Sequence, residues 1–264
     1  MWIRAVSAVS RAAALALAAL AAMTAVAASA CAGADGGTGS GGFFRQYEYE
    51  EEVYLSLDGR ATVYVHASLA ALNALRGTSF GTAPNAPLDR EAVRAFYSTP
   101  VTRVNGQINA SRRANRRFVH VKLDVDDIRR LGEAAPFAWS TYELKRDGDL
   151  YLFRQMIGPA ADKNAAAIGW SGREVVAFRL HLPSKIEYHN TEREVGRGNI
   201  LTWEQPLTER LRGTALSLDA RMEPQSILYR TLWLFGWTFV AVAISFLVVI
   251  WWVRRQAPAE KRAA

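Results

Sequence analysis

Residues 46–65 read QYEYEEEVYLSLDGRATVYV. Tyr47, Tyr49, Val53, Leu55 and Leu57 share one parity, and Ala61, Val63 and Val65 alternate again after Asp58-Gly59. A period of two marks a strand with one buried face, and Asp-Gly between two such runs is a tight-turn signal. The stretch predicts an antiparallel hairpin.

Working outward, Ser68 is placed to cap a short helix carrying Leu69, Leu72 and Leu75, which Gly77 stops. Asp89 caps a second helix with Val93 and Phe96 directed inward. Strands follow near 101–108 and 118–125; Val119, Val121, Leu123 and Val125 make one apolar face. Asp124, Asp126 and Asp127 open a third short helix that Arg129 and Arg130 close, an order suited to the helix dipole. A hairpin straddles Asp147-Gly148, and strands are expected over 174–182, 185–190, 199–204 and 215–221. Hairpins interrupted by a few helices predict an α+β fold: a mostly antiparallel sheet in one layer, short helices packed on it.

The two ends of the chain carry different signals. Thr231–Val253 (TLWLFGWTFVAVAISFLVVIWWV) has 23 residues and no charge, enough for one transmembrane helix. Trp233 and Trp237 lie near one end and Trp251 and Trp252 at the other, as interfacial aromatics do. Arg254, Arg255, Lys261 and Arg262 follow, so residues 254–264 are expected to be a basic cytoplasmic tail. At the other end, Arg4 and Arg11 precede the apolar run Ala12–Ala28, and Ala28-Ser29-Ala30 supplies small residues for cleavage. Residues 1–30 therefore read as a signal peptide. Both ends give one topology: residues 43–225 form an extracytoplasmic domain, and a single pass through the cell membrane leaves the C-terminus inside.

Cys31, the sole cysteine, directly follows that cleavage site, in a degenerate lipobox that lacks the usual leucine. It is the expected lipidation site; the alternative is plain cleavage that leaves a cysteine. Residues 31–42 form a Gly/Ser-rich tether. One cysteine excludes an intrachain disulfide.

The formal charge of +7 invites a nucleic-acid reading, but residues 43–225 hold 25 Lys/Arg against 23 Asp/Glu. The excess sits at the ends, so no nucleic-acid partner is expected. His66, His120, His181 and His189 each oppose the apolar face of their strand and read as solvent-facing. No metal-binding spacing is present, nor any phosphate-binding loop or nucleophile elbow. Ser171, between Gly169 and Gly172, reads as a loop serine, and Asp162 and Glu174 as turn residues. The sequence predicts no enzyme and no cofactor.

Two surface features bear on binding. Arg112, Arg113, Arg116 and Arg117 crowd one turn, either as a solvated tip or as contacts for anionic headgroups. Aromatics are frequent in the first half, among them Phe43, Phe44, Tyr47, Tyr49, Tyr54, Tyr64, Phe96, Tyr97, Phe118, Phe137 and Trp139. They read as core, or as the lining of a lipid pocket.

Val175–Pro183 (VVAFRLHLP), Glu187–Asn190 (EYHN), Gly198–Trp203 (GNILTW) and Leu216–Ala220 together resemble the end of the LppM-type bacterial envelope lipoprotein domain. The order of export signal, lipobox, α+β domain, C-terminal helix and basic tail is similar too. The resemblance implies an apolar cavity lined by the sheet and a lipid or lipoglycan ligand; it brings no catalytic residues. The expected partners are the membrane and a lipid or lipoglycan, with a protein-interaction subunit of an envelope complex as the alternative.

Overall fold

A computed structural model describes residues 45–83, 85, 87–161 and 169–256. The signal peptide, Cys31, the tether, Phe43, Phe44, Asp162 and residues 257–264 lie outside the described residues.

The fold is α+β, and its first hairpin forms as the alternation predicts. β1 (Gln46–Leu55) pairs antiparallel with β2 (Ala61–Ser68). Gly59 turns the chain at φ 93°, a conformation that favours glycine. α1 (Leu69–Arg76) begins at Ser68, whose side chain accepts the Ala71 N–H, and stops at left-handed Gly77. α2 (Arg90–Tyr97) is capped by Asp89 as expected, but it buries Val93 and Tyr97, one full turn apart. Phe96 is only partly covered and packs at the edge, edge-to-face with Phe80.

The strand expected near 101–108 is only β3 (Thr102–Val104); an unexpected strand, β4 (Asn109–Arg113), follows it, and both pair with β5 (Arg116–Val125). The third helix forms as a 3-10 turn over Ile128–Glu133, capped by Asp127. β6 (Ser140–Asp147) and β7 (Leu150–Ile157) form the second hairpin. Then follow β8 (Glu174–His181), β9 (Ser184–His189), β10 (Ile200–Pro206), α3 (Leu207–Leu211) and β11 (Leu216–Ser226).

These strands make two sheets, not the single layer expected. The larger runs β10-β8-β1-β2-β5-β3, with β4 also on β5; the smaller runs β6-β7-β11-β9. Alternation reports which face of a strand is buried and is silent on which sheet the strand joins. The chain changes sheet at Leu182-Pro183, between β8 and β9. β8 lies parallel to β1 in an otherwise antiparallel arrangement, with a bulge at Glu48.

One core fills the space between the sheets and beneath the helices. Val63, Val65, Val119, Val121 and Leu123 are buried from the large sheet, and Phe153, Leu218 and Met222 from the small one. Tyr49, Trp139 and Phe178 meet at the junction, the Tyr49 and Trp139 rings edge-to-face with centroids 5.4 Å apart.

Candidate functional site

The apolar C-terminal helix is built as a continuation of the sheet. β11 ends at Ser226, and α4 (Ile227–Gln256) starts at the next residue. The Ile227 N–H donates to the Pro183 carbonyl at 3.0 Å, tying the first helical residue to the β8–β9 crossing. Arg230 pairs with Glu223 at 2.6 Å, and Lys185 reaches the same carboxylate at 3.7 Å. Beyond this collar the helix is long and apolar enough to cross a membrane, and its apolar window is uncovered by the domain. Thr231, Thr238 and Ser245 each donate their hydroxyl to the carbonyl four residues earlier, at 2.8–2.9 Å. An unsatisfied polar group is costly in hydrocarbon, and these three are satisfied within the helix.

The arginine-rich turn is the β4–β5 hairpin, closed by Ala114 and Asn115 at φ 48° and 59°. Arg112 and Arg113 are exposed. Arg112 donates to Asn85 and Asn115, and the Arg113 guanidinium lies 4.7 Å from the Phe118 ring centre. Arg116 turns inward. It reaches Glu48 and Glu174, each at 3.3 Å, and its guanidinium stacks 4.4 Å from the Trp170 ring centre. Arg117 is half-buried. The hairpin therefore presents Arg112 and Arg113 to solvent, while Arg116 clasps β5 to β1 and β8.

Glu174 shows what surrounds that clasp. Burial works against its ionisation, but the Ser171 backbone and hydroxyl donors and Arg116 outweigh burial and hold its carboxyl below the usual range. Ser171 is thus a loop serine bound to a carboxylate, whereas Glu174, read as a turn residue, is the buried first residue of β8. Glu48 moves the other way: burial pushes its carboxyl up despite the neighbouring Arg116.

The hairpin and the start of α4 stand at opposite ends of the large sheet. Arg116 touches Glu174, the first residue of β8, whereas Ile227 is bonded just past the last. Eight strand residues separate them, roughly 25 Å at ~3.3 Å per residue.

The outer face of the large sheet carries an aromatic and imidazole row. His181 stacks on Tyr54 with ring centres 3.8 Å apart, Tyr54 meets Tyr64 at 5.5 Å, Tyr64 meets His66 at 6.3 Å, and His66 meets His120 at 4.9 Å. Glu52 accepts from His181 at 2.5 Å and from the Tyr54 hydroxyl at 3.1 Å, and its carboxyl is held below the usual range, chiefly by the His181 contact. Arg179 pairs with Glu50 at 2.9 Å. The three histidines point away from the apolar face, as their parity requires, and all three are half-buried. Sequence parity also places them on one face, but only the strand order brings them into contact.

The other face of the same strand hides a carboxylate. Glu51 is 1% exposed. Its side chain accepts from the Tyr49 and Tyr142 hydroxyls and from Gln155 Nε2, each at 2.9 Å. Burial pushes its carboxyl up, against the pull of those donors and of Arg76. Sequence reading had the signal for it: Glu51 shares the parity of Tyr49 and Val53.

Cavities on the domain surface are lined by charged residues. One of about 330 Å³ includes Arg45, Arg173, Glu174 and Glu204, and one of about 390 Å³ includes Arg60, Arg103, Asp124 and Asp126. A cavity of about 440 Å³ lined by Trp233, Trp237 and Val240 lies on α4 itself. Of the aromatics read as core or pocket lining, Tyr49, Tyr97, Phe118, Phe137 and Trp139 are buried in the domain.

No family model matches the chain, and no curated protein matches it. Among solved structures, the folded domain of Mycobacterium tuberculosis LppM, determined by NMR, is similar at 10% identity and a TM-score of 0.39. That likeness is distant and covers 69% of this chain and 92% of the LppM domain.

Proposed function

We propose that this chain is a noncatalytic envelope protein, held at the outer face of the cytoplasmic membrane by α4, whose domain binds an anionic lipid or lipoglycan. The observation that carries this reading is the unbroken passage of β11 into an apolar helix of 30 residues. A folded domain joined to such a helix without a linker works against the bilayer surface. The basic tail and the export signal argue for the domain lying outside.

Arg112 and Arg113 supply the anion contacts: both are exposed cations of the β4–β5 hairpin, one on each of its faces. The hairpin lies away from the start of α4, which favours a ligand that rises above the membrane, such as a lipoglycan bearing anionic groups, over the headgroups beneath the domain. Binding of this kind is a surface contact and weakens as salt rises.

A second reading, a protein-interaction subunit, is supported by the filled space between the sheets, where Tyr49, Trp139 and Phe178 pack on one another. Native mass spectrometry of the full chain, purified in mild detergent from its own membranes, distinguishes the two. Co-purified anionic lipid or lipoglycan that diminishes in an Arg112→Ala/Arg113→Ala variant is the expected result. A chain free of lipid and lipoglycan, bound to one protein partner in wild type and variant alike, would overturn the lipid reading in favour of the second.

A further inference from the structure

His66 and His120 sit directly opposite each other across the β2–β5 pair. Their Nδ1 atoms are 2.7 Å apart, with the ring planes inclined by 54°. Between two neutral imidazoles this is one hydrogen bond, with a single N–H donating to a lone pair. His120 is held at its second nitrogen as well: Nε2 lies 2.7 Å from the Ser111 hydroxyl on β4, the strand on the other side of β5. Three neighbouring strands thus fix one imidazole and aim a second at it, on a face that solvent reaches.

We propose that His66 and His120 form a two-imidazole site for a divalent transition-metal ion, each ring binding through Nδ1, with water completing the coordination. The distances favour it. Metal–imidazole bonds of about 2.0–2.1 Å put two nitrogens about 2.9 Å apart at a right angle and about 3.4 Å apart at the tetrahedral angle. The gap of 2.7 Å opens to the first value by a small rotation of the rings, with no change in strand register. Right-angle coordination points to Cu²⁺ or Ni²⁺ ahead of Zn²⁺, and the intrinsic affinity order of these ions is the same for Cu²⁺.

The protons balance without loss. The ring that donates through Nδ1 moves that hydrogen to its own Nε2 by exchange with water, and both rings stay neutral. His120 then donates Nε2–H to Ser111, the outer contact that orients a metal-binding imidazole. Burial lowers the proton affinity of both rings, which keeps their lone pairs available at neutral pH. Glu50 and Glu52 on β1 add negative potential, opposed by Arg179 and Arg113. Among the described residues no group of three or more His, Cys, Asp or Glu side chains gathers as metal ligands. The site is therefore an open one that exchanges its ion, unlike a closed structural site.

Titration of the untagged full chain in detergent with CuCl₂ or NiCl₂ alone tests the inference by calorimetry. One equivalent should bind, and His66→Ala or His120→Ala should raise Kd by more than about tenfold. Ser111→Ala should weaken binding by a smaller factor, and His181→Ala should leave it unchanged. Because a variant can misfold, the electron paramagnetic resonance spectrum of the Cu²⁺-loaded wild type provides an independent readout: hyperfine coupling from two imidazole nitrogens is expected. No stoichiometric binding by the wild type, a copper spectrum without two-nitrogen coupling, or binding that survives in the His66→Ala/His120→Ala double variant would overturn the proposal.

Discussion

The Tyr142 hydroxyl, on the small sheet, donates to the buried carboxylate of Glu51, on the large sheet, at 2.9 Å. This bond crosses the core from one sheet to the other, and Gln155 on β7 makes a second such bond at 2.9 Å. Removing one donor leaves a buried carboxylate partly unsatisfied. Tyr142→Phe should destabilise the domain by about 1–3 kcal/mol, measured by urea unfolding in detergent.

The same carboxylate gives stability a pH dependence. Burial raises the Glu51 carboxyl above its unfolded value, so the folded state binds this proton more tightly than the unfolded state does. Its contribution is therefore fully present below the ordinary carboxylate range and is lost as pH rises through the raised folded value. Glu51→Gln should flatten that decline while leaving the acid side little changed. Unfolding midpoints compared across the weakly acidic range read this directly.

His66 and His120 act in the opposite sense. Burial lowers both, with Glu52 and Glu50 opposing the effect and Arg179 and Arg113 adding to it. Below about pH 6.5 the unfolded chain takes up protons that the folded pair resists. Stability should fall as pH drops from that value through the lowered folded pKa, and a His66→Asn/His120→Gln variant should lose less. Thermal unfolding as a function of pH is the measurement.

The arginines of the β4–β5 hairpin should separate by position. Arg116→Ala strips the cation from Glu48 and Glu174, whose side chains are 0% and 1% exposed, so a loss of about 3–5 kcal/mol is expected. Arg112→Ala removes an exposed side chain and should cost less than about 1 kcal/mol. Urea unfolding of the two variants measures the difference. Comparable losses would contradict the split between clasp and surface.

The topology has its own test. A reporter active only outside the cytoplasm, fused after Ser226, should be active, and the same reporter after Ala264 should be silent. Activity at the second junction would be incompatible with a single pass through α4.

What was legible in the sequence was local. Ser68 and Gly77 bracket α1 because their side-chain and backbone needs are met within a few residues. The apolar face of β5 follows from its alternation. The unread part is non-local. The parallel pairing of β1 with β8 joins the first strand to the eighth, and no turn announces it. That pairing brings Glu174 to Arg116 and His181 to Glu52 and Tyr54, so the arginine clasp and half of the imidazole row were invisible before the strand order was known. The crowding of Arg112–Arg117 reads as a charged tip, yet cross-strand partners share a face. Arg113 pairs with Arg116 and Arg112 with Arg117, which divides the four between two faces. Glu51 was readable in principle, but the acidic run around it masked its inward parity.

The junction at Ser226-Ile227 makes the domain a lever. No loop separates β11 from α4, Ile227 is bonded to Pro183 and Arg230 to Glu223, so a tilt of α4 would be passed to the sheet as a rotation if these contacts hold. Membrane helices commonly lean by about 20°. Over the roughly 25 Å of strand between the junction and the β4–β5 hairpin, such a lean sweeps Arg112 and Arg113 through about 9 Å. Were α4 to span a bilayer, such a lean would displace those two cations relative to the lipid surface.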